Sequence, residues 1–147
     1  GYQDGTFKPN NNITRAEFAS ILVKAFNLSK EQGTVFNDTA NHWAKDSIAT
    51  AAAHGILTGY SAEKFGPNDP ITREQMAVMI TKAAKLAGET ADMSFTDYKA
   101  VSPWAVEAVQ AAVKANIIKG YADNTFKPQN KATRAEAVTV IVQALGL

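Results

Sequence analysis

The chain has 147 residues, 46% of them hydrophobic and 20% charged, a composition that belongs to a folded globular chain and not to a disordered one. Fifteen basic residues against fourteen acidic ones leave a net charge of +1, without the basic excess expected of a nucleic-acid-binding face. There is no cysteine for a disulfide framework or a thiolate metal site, and no apolar run approaches the roughly 18–20 residues that cross a bilayer.

The first elements, in chain order, are Gly1-Tyr2, the turn pair Asp4-Gly5, Phe7-Lys8-Pro9 and the tetrad Thr14-Arg15-Ala16-Glu17. The series returns 58 residues later as Gly59-Tyr60, Phe65-Gly66-Pro67 and Thr72-Arg73-Glu74-Gln75. A further 61 residues on it is written Gly120-Tyr121, Phe126-Lys127-Pro128 and Thr133-Arg134-Ala135-Glu136. Such a period decides the architecture before any single element does. The loops that carry it (1–13, 59–71 and 120–132) are long connectors, a length usually found where a loop is functional or tightly anchored.

Behind each tetrad the apolar residues fall at helical spacing: Phe18, Ala19, Ile21, Leu22, Ala25 and Phe26, then Met76, Ala77, Met79, Ile80, Ala83 and Ala84, then Ala137, Val138, Val140, Ile141, Ala144 and Leu145. Polar linkers follow at 29–35 and 88–94, and each leads into a Phe-x-Asp, Phe36-Asn37-Asp38 or Phe95-Thr96-Asp97. A second kind of helix is expected from N-caps at Asn41 and Ser102, with Pro103 in the first helical position. Its stripe is Trp43, Ala44, Ile48, Ala51, Ala52 in one unit and Trp104, Ala105, Val109, Ala112, Val113 in the next. It is expected to end at Gly55 and Asn116, residues that readily take the left-handed conformation. The fold class is therefore all-α, built of tandem helix–loop–helix units. Residues 1–28 are read as the second half of a first unit, 36–87 as the second and 95–147 as the third. The opening helix of the first unit is expected ahead of Gly1, which points to truncation, to processing, or to completion by another segment or chain.

The tetrad separates into two kinds of residue. Thr-x-x-Glu is a capping box, and this accounts for Thr14 with Glu17, Thr72 with Gln75, and Thr133 with Glu136. The arginine is not accounted for. Arg15, Arg73 and Arg134 stand at the first helical position, where the helix dipole disfavours a cation by about 0.3–1 kcal/mol. Either each pairs with a carboxylate of an adjoining unit, or each binds an external anion beside the N–H groups of the helix start. The second reading is favoured. Trp43 and Trp104 occupy one place in two units, either in the core or on a rim where an indole face could meet a sugar ring.

These residues together resemble the S-layer homology family. Its pattern is met in order by Phe-x-Asp and Trp-Ala, the apolar pair before Gly-Tyr, the F-x-P loop and the T-R-A-E tetrad, and residues 1–19 are close to a family consensus string. The resemblance implies a pseudo-threefold helical bundle with grooves between units. It also implies non-covalent anchoring of a surface protein to the bacterial cell wall through secondary cell-wall polysaccharide, commonly a pyruvylated sugar. The implied location is extracellular, in the cell wall or S-layer. The arginine role maps to Arg15, Arg73 and Arg134, with Trp43 and Trp104 beside them. Two departures matter: Glu74 adds a carboxylate next to Arg73, expected to weaken anion binding there, and the loop Tyr60-Ser61-Ala62-Glu63-Lys64-Phe65 lacks an Asp-Gly turn. The grooves are expected to be unequal.

No enzyme constellation is present. His42 and His54 have no triad or metal context, His42 being read as a capping or surface residue, and 123–136 lacks the ligand alternation and central glycine of a calcium loop. No cofactor, metal, nucleic acid or membrane insertion is expected. The competing readings are a self-assembly module, whose units pack with other chains through arginine ion pairs, and binding to peptidoglycan itself.

Overall fold

The three tetrads start three helices whose order and caps follow directly from the repeat. A computed structural model describes residues 8–86 and 94–147; Gly1-Tyr2, Asp4-Gly5, Phe7 and most of the 88–94 linker lie outside the described residues. It contains α1 (Arg15–Ala25), α2 (Lys45–Ala53), α3 (Arg73–Ala83), α4 (Val106–Lys114) and α5 (Arg134–Leu145), with 3-10 turns at Tyr98–Ala100 and Pro103–Ala105. Among the described residues there is no β-strand, only isolated bridges, so the all-α class holds.

The threonine hydroxyls of Thr14, Thr72 and Thr133 accept the N–H of Glu17, Gln75 and Glu136. The reciprocal bond is made by Glu17 to the Thr14 N–H and by Gln75 to the Thr72 N–H, each at 3.0 Å. At Thr133 the box is only half formed, because the Glu136 carboxylate is turned towards Arg73 and Tyr121 instead. The other helix type begins later than its sequence suggests. The N-caps are Ala44 and Ala105, neither with a side-chain bond, and not Asn41 and Ser102. His42 Nδ1 accepts the Ala44 N–H at 3.0 Å, and Ser102 gives both its N–H and its hydroxyl to Glu74. Pro103 opens the short 3-10 turn before α4. The C-terminal expectation holds: Gly55 and Asn116 have φ of 74° and 59°, and the next amides, of Ile56 and Ile117, reach back to Ala51 and Ala112 at 2.9 Å each.

Packing does not follow the repeat as written. α1 packs on α2 and α3 on α4, while α2 and α3 do not pack together, nor do α4 and α5. Each of α2 and α4 thus lies against the tetrad helix of the preceding repeat. The three tetrad helices α1, α3 and α5 touch in all three pairs. At their starts the buried residues just ahead of each tetrad form a closed circuit of backbone hydrogen bonds. Ile13 N–H donates to Ala132 O at 3.1 Å, Ala132 N–H to Ile71 O at 2.9 Å, and Ile71 N–H to Ile13 O at 3.0 Å.

The Phe-x-Asp and F-x-P motifs meet within a unit. The Phe36 and Phe65 rings lie 5.6 Å apart and the Phe95 and Phe126 rings 5.5 Å apart. Asp38 accepts the N–H groups of Phe65 and Gly66 at 3.0 and 2.9 Å, and Asp97 those of Phe126 and Lys127 at 2.8 and 2.9 Å. The glycine of Gly-Tyr is needed for this approach: a Cβ on Gly120 would stand 2.2 Å from Phe95 Cε1 and 2.8 Å from Thr125 O. The second loop, despite lacking Asp-Gly, closes as the third does, with Tyr60 N–H to Lys64 O and Tyr121 N–H to Thr125 O both at 2.8 Å.

Burial pushes the Asp38 carboxyl up, but the amide donors of Phe65 and Gly66 and the charge of Lys64 outweigh it, so its pKa lies below the ordinary carboxylate value. A depressed folded pKa means the stabilisation is complete above the unfolded value of about 3.9 and is lost as pH falls through the folded one. Asp38→Asn is expected to cost on the order of 1 kcal/mol at neutral pH. It should also flatten the acid limb below about pH 4, both read from urea melts across pH 3–7.

Candidate ligand-binding grooves

Arg15 and Arg73 leave their helix starts and enter the loop of the following repeat. Arg15, Arg73 and Arg134 are only 5%, 4% and 4% exposed, so none is a solvated surface cation. Arg15 Nε donates to Phe65 O at 3.0 Å and Nη2 to Thr58 O at 3.5 Å, while Cζ stands 4.5 Å from the ring centres of both Tyr60 and Phe65. Arg73 repeats this with Phe126 O and Lys119 O, each at 2.8 Å, and with the rings of Tyr121 and Phe126 at 4.6 and 4.8 Å. The guanidinium is thus held between a tyrosine and a phenylalanine whose quadrupoles attract it. Sequence reading missed this clamp. The fixed spacing of Gly-Tyr and F-x-P to the next tetrad was its signal, since both rings serve the arginine of the repeat before.

The helix-start amides are not free for an anion, contrary to expectation. Arg15 and Ala16 N–H donate to Asp69 O and Pro67 O, Arg73 and Glu74 N–H to Asn130 O and Pro128 O, and Arg134 and Ala135 N–H to Asn11 O and Pro9 O. Loop carbonyls of another repeat use the positive end of every tetrad helix. Only the guanidinium edge is left to recognise an anion.

That edge differs between copies. Arg73 Nη1 pairs with Glu136 Oε2, and Arg134 Nη1 with Glu17 Oε2 at 2.8 Å, both across repeats. By the same pattern Arg15 should meet position 75, which is Gln75, and among the described residues no carboxylate lies within ion-pairing distance of Arg15. Burial pulls the Arg15 pKa below its ordinary value, with the neighbouring carboxylates of Asp69 and Asp38 among the opposing influences. No buried side-chain nitrogen or oxygen is left without a partner among the described residues, so the unbonded Nη1 of Arg15 must face open space.

The space it faces is a groove of about 440 Å³ lined by Arg15, Thr58, Tyr60, Gln75, Lys82 and Trp104 among others, with no carboxylate in its wall. The corresponding groove at Arg73 is about 290 Å³ and is lined by Lys119, Glu136 and Gln143 in the places of Thr58, Gln75 and Lys82. Trp104 and Trp43 are 60% and 69% exposed, which removes the core reading for both. Trp104 stands on the Arg15 groove, whereas Trp43 lines neither groove and lies tilted against His42 at 5.2 Å. His42 also meets Asn68 Oδ1, and His54 meets Ser29 O, so both histidines tie surface loops. Glu74, expected to disturb Arg73, is buried and accepts from Ser102 and Gln129, and it lines neither groove.

The family model described as S-layer homology domain matches residues 1–19, 35–77 and 94–138. Cell surface glycoprotein 1 of Acetivibrio thermocellus is 35% identical over 159 residues, covering 99% of this chain and 7% of the relative. Surface-layer 125 kDa protein of Lysinibacillus sphaericus is 34% identical, covering 99% of this chain and 13% of the relative. Cellulosome-anchoring protein of A. thermocellus is 35% identical, covering 99% and 34%. The chain therefore spans at most about a third of these relatives.

The aromatic clamp carries a direct expectation. Tyr121→Leu keeps the apolar bulk beside Arg73 but removes the ring face, and is expected to cost about 1 kcal/mol in chemical denaturation. Phe126→Ala, which also opens a cavity, is expected to cost about 3–5 kcal/mol.

Proposed function

The chain belongs to the S-layer homology family of cell-wall-anchoring domains at the bacterial surface, and on that premise we propose that it holds a larger surface protein to the cell wall by binding an acidic secondary cell-wall polysaccharide in the groove at Arg15. The single observation behind this reading is the buried Arg15 guanidinium with an unbonded edge in a carboxylate-free groove beside an exposed tryptophan. A ketal carboxylate, as on a pyruvylated sugar, supplies the charge this edge lacks and matches its two-pronged donor geometry. Trp104 offers a flat face to the sugar ring, and Lys82 a second cation at the groove wall. The printed names of the relatives, surface-layer and cellulosome-anchoring among them, fit such a role. Arg73, Arg134 and Trp43 are the remaining candidates of this kind.

The finer architecture belongs to the same proposal: a pseudo-threefold helical bundle with α1, α3 and α5 at its centre and grooves between repeats. The mutual contact of those helices and the Ile13–Ala132–Ile71 circuit support it. A self-assembly module would use the arginines as ion pairs between chains, but the Arg73–Glu136 and Arg134–Glu17 pairs are satisfied within one chain.

Binding is to be measured against purified pyruvylated wall polysaccharide, its depyruvylated form and peptidoglycan. Arg15→Ala should weaken binding to the first by about 30-fold or more, equivalent to about 2 kcal/mol, and Trp104→Ala by about tenfold. Equal binding to all three polymers, or an Arg15→Ala variant that binds as the parent does, would sink the reading. Light scattering that shows a stable oligomer, dispersed by Arg→Ala changes, would favour assembly instead.

A further inference from the structure

Arg15 and Arg73 share one surrounding and differ in one neighbour, and Arg134 meets the same kind of neighbour as Arg73. Position 17, 75 or 136 faces the arginine of the preceding repeat, and it is asked to do two things at once: cap the N-terminal N–H of its own helix and accept from the arginine's Nη1. A carboxylate has two oxygens and can do both. Glu17 does so, with Oε1 on the Thr14 N–H at 3.0 Å and Oε2 on Arg134 at 2.8 Å. Glu136 gives up the cap and turns Oε2 to Arg73 and Oε1 to the Tyr121 hydroxyl. Gln75 has one oxygen, and it is spent on the Thr72 N–H at 3.0 Å. What remains is an amide NH2, a donor turned to the Tyr60 hydroxyl and not an acceptor for Arg15, which lines the same groove. Two donors cannot satisfy each other, so the Arg15 edge asks for an acceptor from outside.

We infer that the fourth tetrad residue selects which groove accepts an acidic ligand: Gln75 leaves the Arg15 groove open to one carboxylate, whereas Glu136 and Glu17 occupy the arginine edge at the other two positions. A ligand carboxylate entering beside Arg73 would have to displace Glu136 or sit against its charge, and both options are unfavourable in a half-buried site. At Arg15 the ligand meets Nη1 and Lys82 with no competing carboxylate in the wall. The chain then binds one acidic terminus per molecule although it carries three tetrads. The inference rests on the polysaccharide reading only for the identity of the acid, not for the choice of groove.

The test uses the whole chain, labelled with 15N and titrated separately with sodium pyruvate and with the methyl glycoside of a pyruvylated hexosamine. The Nε–H resonance of Arg15 should move first, at concentrations at least tenfold below those that move Arg73 or Arg134, with one glycoside bound per chain. Gln75→Glu should weaken glycoside binding at least tenfold while raising the melting temperature, because it gives a buried cation its carboxylate. Glu136→Gln should add a second site. Should the glycoside not bind while pyruvate still selects Arg15, the polysaccharide reading fails and the selection stands. Equal movement of the three arginines with either probe, no movement with either, or a Gln75→Glu variant that binds as the parent does, overturns the selection.

Discussion

A guanidinium buried at the positive end of a helix needs compensation from elsewhere in the chain, and the layout of each repeat is organised around supplying it. The arginine cannot be left in water, since its helix start is the point at which three repeats converge. It cannot draw on its own helix, whose first carbonyls point the other way. For Arg15 and Arg73 the loop of the next repeat therefore brings two carbonyl oxygens and two ring faces, and Arg73 and Arg134 each meet a carboxylate of another tetrad. The loop has to be held in a fixed shape to do this. Asp38 and Asp97 hold it through paired amides, and the absent side chains of Gly59 and Gly120 let the phenylalanine of Phe-x-Asp close over it.

Motifs that look independent along the chain are thus parts of one contact set distributed over neighbouring repeats. Gly-Tyr and F-x-P of one repeat serve the arginine of the repeat before, and the helix that follows the tryptophan packs on that same earlier repeat. The groove at Arg15 falls on this seam. Its wall comes from α1, from residues 56–60 and α3, and from Trp104 at the entry to α4, so three repeats contribute to a single groove.

Much of this was legible. The tetrad helices, their threonine caps and the left-handed Gly55 and Asn116 follow from local chemistry, which a single segment expresses by itself. The arginine was marked as out of place for the right reason, its position against the dipole. Hidden were the properties that depend on two distant segments meeting. The N–H groups at each helix start looked free because their carbonyl partners, such as Asp69 for Arg15, lie in another repeat. Asn41 looked like a cap because nothing local shows that His42 would take the Ala44 N–H. Glu74 looked like a neighbour of Arg73, yet successive helical residues point apart and its carboxylate goes to Ser102. Gln75 was plain to see and was read only as a cap, since its second duty exists only when Arg15 is brought beside it.

The Ile13–Ala132–Ile71 circuit sets this chain apart from open repeat arrays. In a linear solenoid each repeat touches its neighbours alone, and folding can begin anywhere and spread. Here the last repeat bonds back to the first, so the circuit forms only when nearly the whole chain has been drawn together. Contacts of such sequence separation make folding slower than local helix pairing would suggest. They also leave no natural place to add or remove a repeat, because losing one breaks two of the three bonds. The circuit therefore couples the three tetrads to one another, so that loosening any one of them loosens its bonds to both others.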